Sequence, residues 1–179
     1  MKEMFDVLNE KGEFTNEVES REVFHEKGLW HRAVVVFVIN SKNQVLLQKR
    51  SASKKMWPNM WDITAGGHVL SGELGYQAAI REAKEEINLD IDKSDMTYIG
   101  GCISETNKNG MIDRHFNEYY IVLKDVDIKD LTLQEEEVQD IKWFDKEELI
   151  KRINNNYDGL TDKTGLWEYL EKYFEFMGI

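Results

Sequence analysis

The chain has 179 residues with 23 basic and 34 acidic side chains, so its formal net charge is −11. This length favours one domain, and a composition with 41% hydrophobic and 11% aromatic residues excludes disorder as the main description. The negative charge argues against nucleic acid or an anionic membrane as the partner. Cys102 is the single cysteine, and no stretch has the apolar run of a signal peptide or a membrane span. We therefore expect a soluble cytoplasmic protein with one domain over residues 1–179, either a monomer or a homodimer.

The first part of the chain predicts strands and one short helix. The segment MFDVLNEKGEF is expected to form a hairpin that turns at Glu10–Gly12, and a helix over Arg21–Lys27 is expected to follow. Apolar runs predict three strands, Leu29–Asn40, Val45–Arg50 and Trp61–Val69. The first of these runs is continuously apolar, so it is expected to be buried on both faces and to form a hairpin with the second.

Helical periodicity begins at Gly72 and continues to Ile87. Further strands are predicted at Met96–Glu105, His115–Asp125 and Val138–Phe144, and further helices after Asp145 and over Gly165–Met177. This order predicts an α/β (α+β) fold in which a mixed central sheet lies between helices and carries a short N-terminal β extension.

An acidic stripe runs along the helix predicted at Gly72–Ile87. Glu82, Glu85 and Glu86 share one face of this helix, where like charges three and four residues apart destabilise an exposed helix by roughly 0.2–0.5 kcal/mol per pair. Arg81 and Lys84 could neutralise the stripe as ordinary surface partners. A divalent cation that prefers oxygen ligands would also relieve the repulsion, and both interpretations stay open at this point.

The segment before this helix favours the cation. Gly66 and Gly67 end an apolar strand, and Gly72 precedes Glu73 where the helix is expected to begin. Glycines allow the backbone to approach a ligand closely, and a carboxylate at a helix start suits the helix dipole.

The same spacing resembles the Nudix box, G-x5-E-x7-R-E-U-x-E-E-x-G-U, in which U is a bulky aliphatic residue. The matching positions are Gly67, Glu73, Arg81, Glu82, Glu85 and Glu86. Two positions differ: Ala83 is smaller than usual, and Asn88 replaces the glycine after the helix. Asparagine tolerates the left-handed conformation, so the helix can still end there.

The resemblance implies a strand–loop–helix site that binds Mg²⁺, with Mn²⁺ as an alternative, and hydrolyses a diphosphate linkage. It implies that the acidic stripe supplies metal ligands or the base that activates water, and that the Gly67 carbonyl is a further ligand. It also implies that Arg81 pairs with Glu73 and fixes the loop against the helix. The spacing does not decide which glutamate is the base.

Beyond the box, LWHRAVVVFVIN, VLLQKRSASKKMWPNMWDITAGGHVLSGE and FNEYYIV are similar to the type I isopentenyl diphosphate isomerases of the same superfamily. In those enzymes an essential cysteine stands two residues before a histidine that binds metal. Here the histidine position is His68, but the residue two before it is Gly66, and Cys102 lies in a different predicted strand. The isomerase pattern also has two glutamates at alternate strand positions, of which this chain has Glu118, an expected extra metal ligand, but Phe116 at the other.

The isomerase resemblance also implies substrate contacts in a basic loop. Four cations lie close together at Lys49, Arg50, Lys54 and Lys55. Arg50 and Lys54 match residues that contact the substrate diphosphate, whereas a solvated basic loop is the alternative. We expect Trp57 and His68 to complete the substrate-binding set.

These observations predict a metal-dependent Nudix hydrolase whose partner is a small-molecule diphosphate. Two alternatives remain. One is an isopentenyl diphosphate isomerase, which the missing cysteine opposes, and the other is a non-catalytic sensor of nucleotide diphosphates.

Overall fold

The computed structural model describes residues 2–108, 111–163 and 165–178, without the side chains of residues 108 and 111. Within these ranges the chain forms nine strands and four α-helices. The strands are β1 Met4–Leu8, β2 Phe14–Ser20, β3 Trp30–Ile39, β4 Gln44–Arg50, β5 Trp61–Asp62, β6 Ala65–His68, β7 Met96–Lys108, β8 Met111–Leu123 and β9 Val138–Asp145. The helices are α1 Arg21–Lys27, α2 Gly75–Ile87, α3 Lys146–Asn154 and α4 Leu166–Met177.

Strand β3 is the centre of a mixed sheet. It pairs in parallel with β8 and antiparallel with β4 and β6. Its even-numbered residues Val34, Val36 and Val38 pack in the cluster that includes α2, and its odd-numbered residues Val35, Phe37 and Ile39 pack in the cluster that includes α3 and α4. The predicted strand that is buried on both faces, the mixed sheet between helices and the N-terminal β1–β2 extension are therefore confirmed.

The predicted strand Trp61–Val69 is divided into two short strands. β5 pairs with β4, whereas β6 pairs with β3, so the chain changes partner between them. At the change, the Thr64 hydroxyl accepts a hydrogen bond from Val38 N (2.8 Å) and donates to the Leu46 carbonyl. A side chain thus replaces strand pairing at this point, which apolar periodicity alone does not reveal.

Helix α2 begins at Gly75, three residues later than predicted, because Gly72 lies in a turn with a φ of +78°. Glu73 therefore precedes the helix instead of standing in its first turn. At the other end, Asn88 adopts the left-handed conformation with a φ of 55°, as its place in the motif implies.

The β7–β8 hairpin extends further than the sequence indicates. The ladder runs from Met96↔Val122 to Lys108↔Met111, so β8 begins four residues before His115. This extension places Asp113 in the ladder opposite Thr106, one residue before β8 begins to pair with β3.

Candidate active site

A cleft of about 650 Å³ is lined by residues of both the box motif and the basic loop. All three glutamates of the acidic stripe line it, together with Gly66, Gly67 and His68 of β6. Arg50, Lys54 and Trp57 of the basic loop line the same cleft. The fold thus brings the predicted metal ligands and the predicted substrate contacts into one cavity.

Two glutamates of the acidic stripe are held in buried positions. Glu86 is 7% exposed, and one of its carboxylate oxygens accepts hydrogen bonds from Gly66 N (3.0 Å) and Gln48 Nε2 (3.2 Å). Burial, reinforced by the charge of Glu82, raises the pKa of Glu86 to about 8. Burial also raises the pKa of Glu82 to about 6, although Arg81 opposes that shift. Such crowded carboxylates fit a hard divalent cation, which would stabilise their ionised form.

Arg81 connects the loop to the helix as the motif implies. Its Nε and one terminal nitrogen each donate to the Glu73 carboxylate at 3.0 Å, and that terminal nitrogen also donates to the His68 carbonyl at 2.9 Å. The other terminal nitrogen reaches Glu82 at 2.7 Å and Glu85 at 3.1 Å. The planar guanidinium therefore fixes the orientation of two stripe carboxylates through a geometry that lysine cannot reproduce.

Gly67 lies directly against the acidic stripe. A Cβ atom at this position would lie 2.5 Å from Cδ of Glu82, which is closer than van der Waals contact permits. Only a residue without a side chain allows the Glu82 carboxylate and the backbone of β6 to approach in this way.

We expect Gly67→Ala to displace the Glu82 carboxylate and to lower kcat/KM by about 10- to 100-fold, with the fold preserved. Steady-state kinetics at saturating Mg²⁺ measures the loss, and thermal denaturation checks the fold. Wild-type kinetics in a folded variant would contradict the proposed close approach.

A second cluster of side chains able to bind a metal lies beyond Gly67. His68, Asp113 and His115 line the same cleft, and the buried His31 lies beside them. One ligand atom from each of His31, His68, Asp113 and His115 lies within 4.8 Å of the others. His115 Nε2 is 2.9 Å from Asp113 Oδ1, and His25 Nε2 is 3.6 Å from the same atom. His31 Nε2 lies 4.0 Å from Asp113 Oδ1 and, although buried, has no hydrogen-bond partner among the described residues.

The protonation states of this histidine–aspartate cluster suit a metal ion. Burial and the neighbouring His115 lower the pKa of His31 to about 3, and burial also lowers the pKa of His68 well below its usual value. Burial opposes ionisation of Asp113, but the imidazoles of His115 and His25 outweigh it and hold the Asp113 pKa well below its usual range. Neutral imidazoles and an ionised carboxylate are the forms that bind metal. In addition, His31 Nδ1 lies 3.2 Å from the Leu29 carbonyl, an arrangement that leaves Nε2 as the ligand atom.

Asp113 and His115 were not singled out from the sequence as candidate ligands. The available signal was their alternate spacing, which places both on one face of a strand. The parallel pairing of His31 with His115 then brings that face to the histidines of β3 and β6, and this pairing is a tertiary contact.

The structure places Glu118 apart from the acidic stripe. Its carboxylate accepts a hydrogen bond from the Tyr120 hydroxyl (2.8 Å) and lies 3.8 Å from Arg32. It also faces the first residue of α2, because a Cβ on Gly75 would lie 2.5 Å from Glu118 Cδ. Glu118 lines a separate cavity of about 320 Å³, not the cleft that contains the acidic stripe. The structure therefore does not bring Glu118 to the acidic stripe; Tyr120 and Arg32 hold its carboxylate beside the first turn of α2.

The predicted substrate-binding residues of the basic loop each contact a neighbouring acidic side chain. Arg50 lies 3.0 Å from Asp62, Lys54 pairs with Glu137, and the Trp57 indole donates to Asp162. These contacts fix the basic loop along one side of the cleft.

The position of the isomerase cysteine has no room for a side chain. A Cβ at Gly66 would clash with the Val34 carbonyl and would lie 2.6 Å from Ile63 Cδ1. Cys102 lies on β7, with its sulfur 3.0 Å from the Tyr119 hydroxyl, and it lines the separate cavity. No thiol therefore faces the cleft among the residues described.

Comparison with known proteins decides the family. The NUDIX domain model matches residues 29–163, a range that contains the whole acidic stripe. The chain belongs to the Nudix family. An uncharacterized Nudix hydrolase of Listeria innocua is 40% identical over 147 residues, which are 82% of each chain. An isopentenyl-diphosphate delta-isomerase of Escherichia coli is 29% identical over 148 residues, which are 83% of this chain and 80% of that one.

A crystal structure from Deinococcus radiodurans has a TM-score of 0.72 and 26% identity, and the match covers 95% of this chain and 98% of the other. The Nudix fold and the enzyme class, a Nudix diphosphate hydrolase, follow from these matches. Nudix enzymes generally use divalent metal ions, and the acidic stripe and the histidine–aspartate cluster are two places where this Nudix protein could hold one. Within the described ranges, no helix is both long enough and apolar enough to cross a membrane.

Proposed function

We propose that this Nudix protein hydrolyses a diphosphate linkage in a nucleoside diphosphate derivative or a similar small diphosphate. The observation that carries the proposal is the single cleft, which is lined on one side by the acidic stripe and Gly67 and on another by Arg50, Lys54 and Trp57. Carboxylates select hard cations, so Mg²⁺ is the proposed ion and Mn²⁺ would suit the same ligands.

The roles of the chain follow from this geometry. A divalent cation in such a site neutralises phosphate oxygens and lowers the pKa of water. Arg81 orients Glu82 and Glu85, and the backbone amide of Gly66 in β6 orients Glu86. A stripe carboxylate that does not bind the cation accepts the proton of the attacking water. Arg50 and Lys54 bind the diphosphate, and Trp57 forms part of the wall around the remaining portion of the substrate.

We assign the histidine–aspartate cluster to a second cation of different preference. Imidazole ligands suit borderline ions such as Zn²⁺, Mn²⁺ or Fe²⁺ better than Mg²⁺. Metal analysis of the purified protein, before and after Asp113→Asn, tests this assignment, because the variant should lose one equivalent of a transition metal and retain Mg²⁺ binding.

The proposed function is tested with a panel of dinucleoside polyphosphates, nucleotide sugars, nucleoside triphosphates, coenzyme derivatives and prenyl diphosphates, each with Mg²⁺, Mn²⁺ or EDTA. We expect metal-dependent hydrolysis with a clear preference for one class. Glu85→Gln should lower the rate by about 10- to 100-fold, because Glu85 is the stripe carboxylate most open to the cleft, 54% exposed. Glu147→Gln, which removes an exposed carboxylate of α3, is the matched control. Equal activity of Glu85→Gln and the control would contradict the proposal.

The isomerase remains a second candidate because the histidine–aspartate cluster includes His68, the position that corresponds to the metal-binding histidine of those enzymes. Gly66 opposes the isomerase activity, since position 66 carries no thiol and the neighbouring backbone leaves no room for a side chain there. Formation of dimethylallyl diphosphate from isopentenyl diphosphate at enzymatic rates would favour the isomerase. Tight binding of a nucleotide diphosphate without turnover in any metal would favour the non-catalytic sensor.

A further inference from the structure

Asp62 organises a buried ionic cluster beside the cleft. Its side chain is 1% exposed, and its carboxylate contacts Lys163 Nζ at 2.5 Å, a terminal nitrogen of Arg50 at 3.0 Å and the Thr161 hydroxyl at 3.0 Å. Lys163 and Arg50 line the cleft, and their side chains are 28% and 16% exposed. The two cations therefore present their outer surfaces to the cavity while Asp62 anchors them from behind.

The charges of this cluster do not cancel. Two cations share one carboxylate, so one positive charge remains, whereas Lys54 is matched by its own partner Glu137. This excess is notable in a chain whose net charge is −11. It lies in the cavity that also contains the acidic stripe, so the cleft has an electropositive and an electronegative part.

Arg50 also retains unused hydrogen-bonding capacity. Its Nε donates to the Met56 carbonyl at 3.2 Å, and one terminal nitrogen contacts Asp62. No protein acceptor among the described residues contacts its other terminal nitrogen. A guanidinium held on one side in this way can bind a phosphate with its free edge.

Two segments far apart in sequence are joined to build the cluster. The indole of Trp57 donates to Asp162, and Lys163 Nζ lies 5.6 Å from the centre of the Trp57 ring. Thr161 N donates to the Trp61 carbonyl at 2.9 Å, so the segment before α4 is fixed beside β5. Lys163 is thus held in place before any ligand arrives, which reduces the entropy lost on binding.

Stability alone does not account for such a cluster. The desolvation of buried ions offsets much of their attraction, and apolar residues of similar size stabilise a protein equally well or better. Arg50 was expected to contact substrate from its resemblance to the isomerases, but that resemblance assigned no role to Asp62 or Lys163.

We propose that Arg50 and Lys163, anchored by Asp62, form an anion subsite in the cleft that binds a phosphate group of the substrate. The inference rests on the proposed function and extends it: Lys163 is a substrate-binding residue, and its ligand is a phosphoryl group. Substrates whose second phosphate reaches this subsite are bound more tightly than analogues that lack it.

The test compares Lys163→Met, which keeps the length of the side chain but removes its charge, with Lys163→Arg, which keeps the charge. Lys151→Met, at an exposed position of α3, is the control for loss of a surface cation. We expect Lys163→Met to raise KM by about 10- to 100-fold with kcat changed less than threefold, and Lys163→Arg to restore most of the affinity. Unchanged KM in Lys163→Met, or an equal change in Lys151→Met, would overturn the proposal.

A second measurement does not depend on hydrolysis. Calorimetric titration of the metal-free protein with inorganic pyrophosphate, in EDTA at low salt, should show binding that Lys163→Met loses and Lys151→Met retains. Lys163→Gln, which can still donate a hydrogen bond to Asp62, replaces Lys163→Met if thermal denaturation shows that the latter does not fold. Absence of pyrophosphate binding by the wild type would overturn the subsite. Binding that depends on Lys163, without hydrolysis of any substrate in the panel, would support the subsite and contradict the proposed function.

Discussion

Glu86→Gln is expected to abolish hydrolysis and at the same time to stabilise the metal-free protein above pH 8. The loss of activity should be about 10³-fold, because the variant removes a carboxylate that binds the cation or accepts the proton of water. The gain in stability has a separate cause, the burial that raises the pKa of Glu86 to about 8 from an ordinary value of 4.5.

The direction of this pH effect on stability follows from proton binding. Between pH 4.5 and about 8 the folded protein holds a proton on Glu86 that the unfolded chain has released, so the free energy of unfolding decreases as pH rises through this window. Glutamine cannot ionise, and its amide oxygen can still accept the hydrogen bonds from Gly66 and Gln48. The free energy of unfolding of the variant should therefore match that of the wild type at pH 5 and exceed it at pH 9.

Thermal denaturation in EDTA at both pH values measures this difference. A change of 1 kcal/mol shifts the melting temperature of a protein of this size by roughly 2–4 °C, so we expect a gain of at least about 3 °C at pH 9. Glu85→Gln is the matched control, since its carboxylate is 54% exposed and its removal should give no such pH dependence. An identical shift at pH 5 and pH 9 would exclude the buried charge as the cause.

Asp62→Ala is expected to be the most destabilising single substitution around the cleft. It leaves Arg50 and Lys163 close together without their counterion and removes the acceptor of the Thr161 hydroxyl. Removing one partner from a buried ion pair typically costs about 3–5 kcal/mol, because the remaining charge is buried without compensation. At roughly 2–4 °C per kcal/mol, the melting temperature should fall by about 10 °C.

Chemical denaturation of the wild type and the variant measures this cost directly. Asp158→Ala, which removes an exposed carboxylate from the same C-terminal segment, is the matched control and should change stability little. The double variant Asp62→Ala/Lys163→Met should lose less than the sum of the two single variants, since one stranded cation is removed. Additive losses would show that Asp62 and Lys163 do not act as a pair.

The fold could be predicted wherever a signal is local. The burial of β3 on both faces follows from its unbroken apolar run, and the antiparallel pairing of Val38 with Leu46 follows from the short turn between β3 and β4. The limits of β5, β6 and β8 could not be predicted, because they depend on which strand each segment meets. The exchange of partners at Thr64 and the pairing of Lys108 with Met111 are examples.

The sequence by itself determined the helix that carries the acidic stripe, the pairing of Arg81 with Glu73 and the left-handed helix end at Asn88. Helical spacing places residues three and four apart on one face, which predicts the stripe, whereas the pairing of Arg81 with Glu73 is what the resemblance to the Nudix box implies. The resemblance to the Nudix box also placed a glycine at position 67, where the close approach of Glu82 requires one.

Only the tertiary structure decided which other side chains share the cleft. The parallel register of β3 and β8 brings Asp113 and His115 to His31 and turns Glu118 to the opposite face, because neighbouring strand residues alternate and a shift of one position reverses them. Lys163 meets Asp62 only because the segment before α4 packs against β5. Strand register and loop packing arise from contacts between segments distant in sequence. The acidic stripe could therefore be predicted from the sequence of one helix. The histidine–aspartate cluster and the cationic subsite could be identified only in the folded chain.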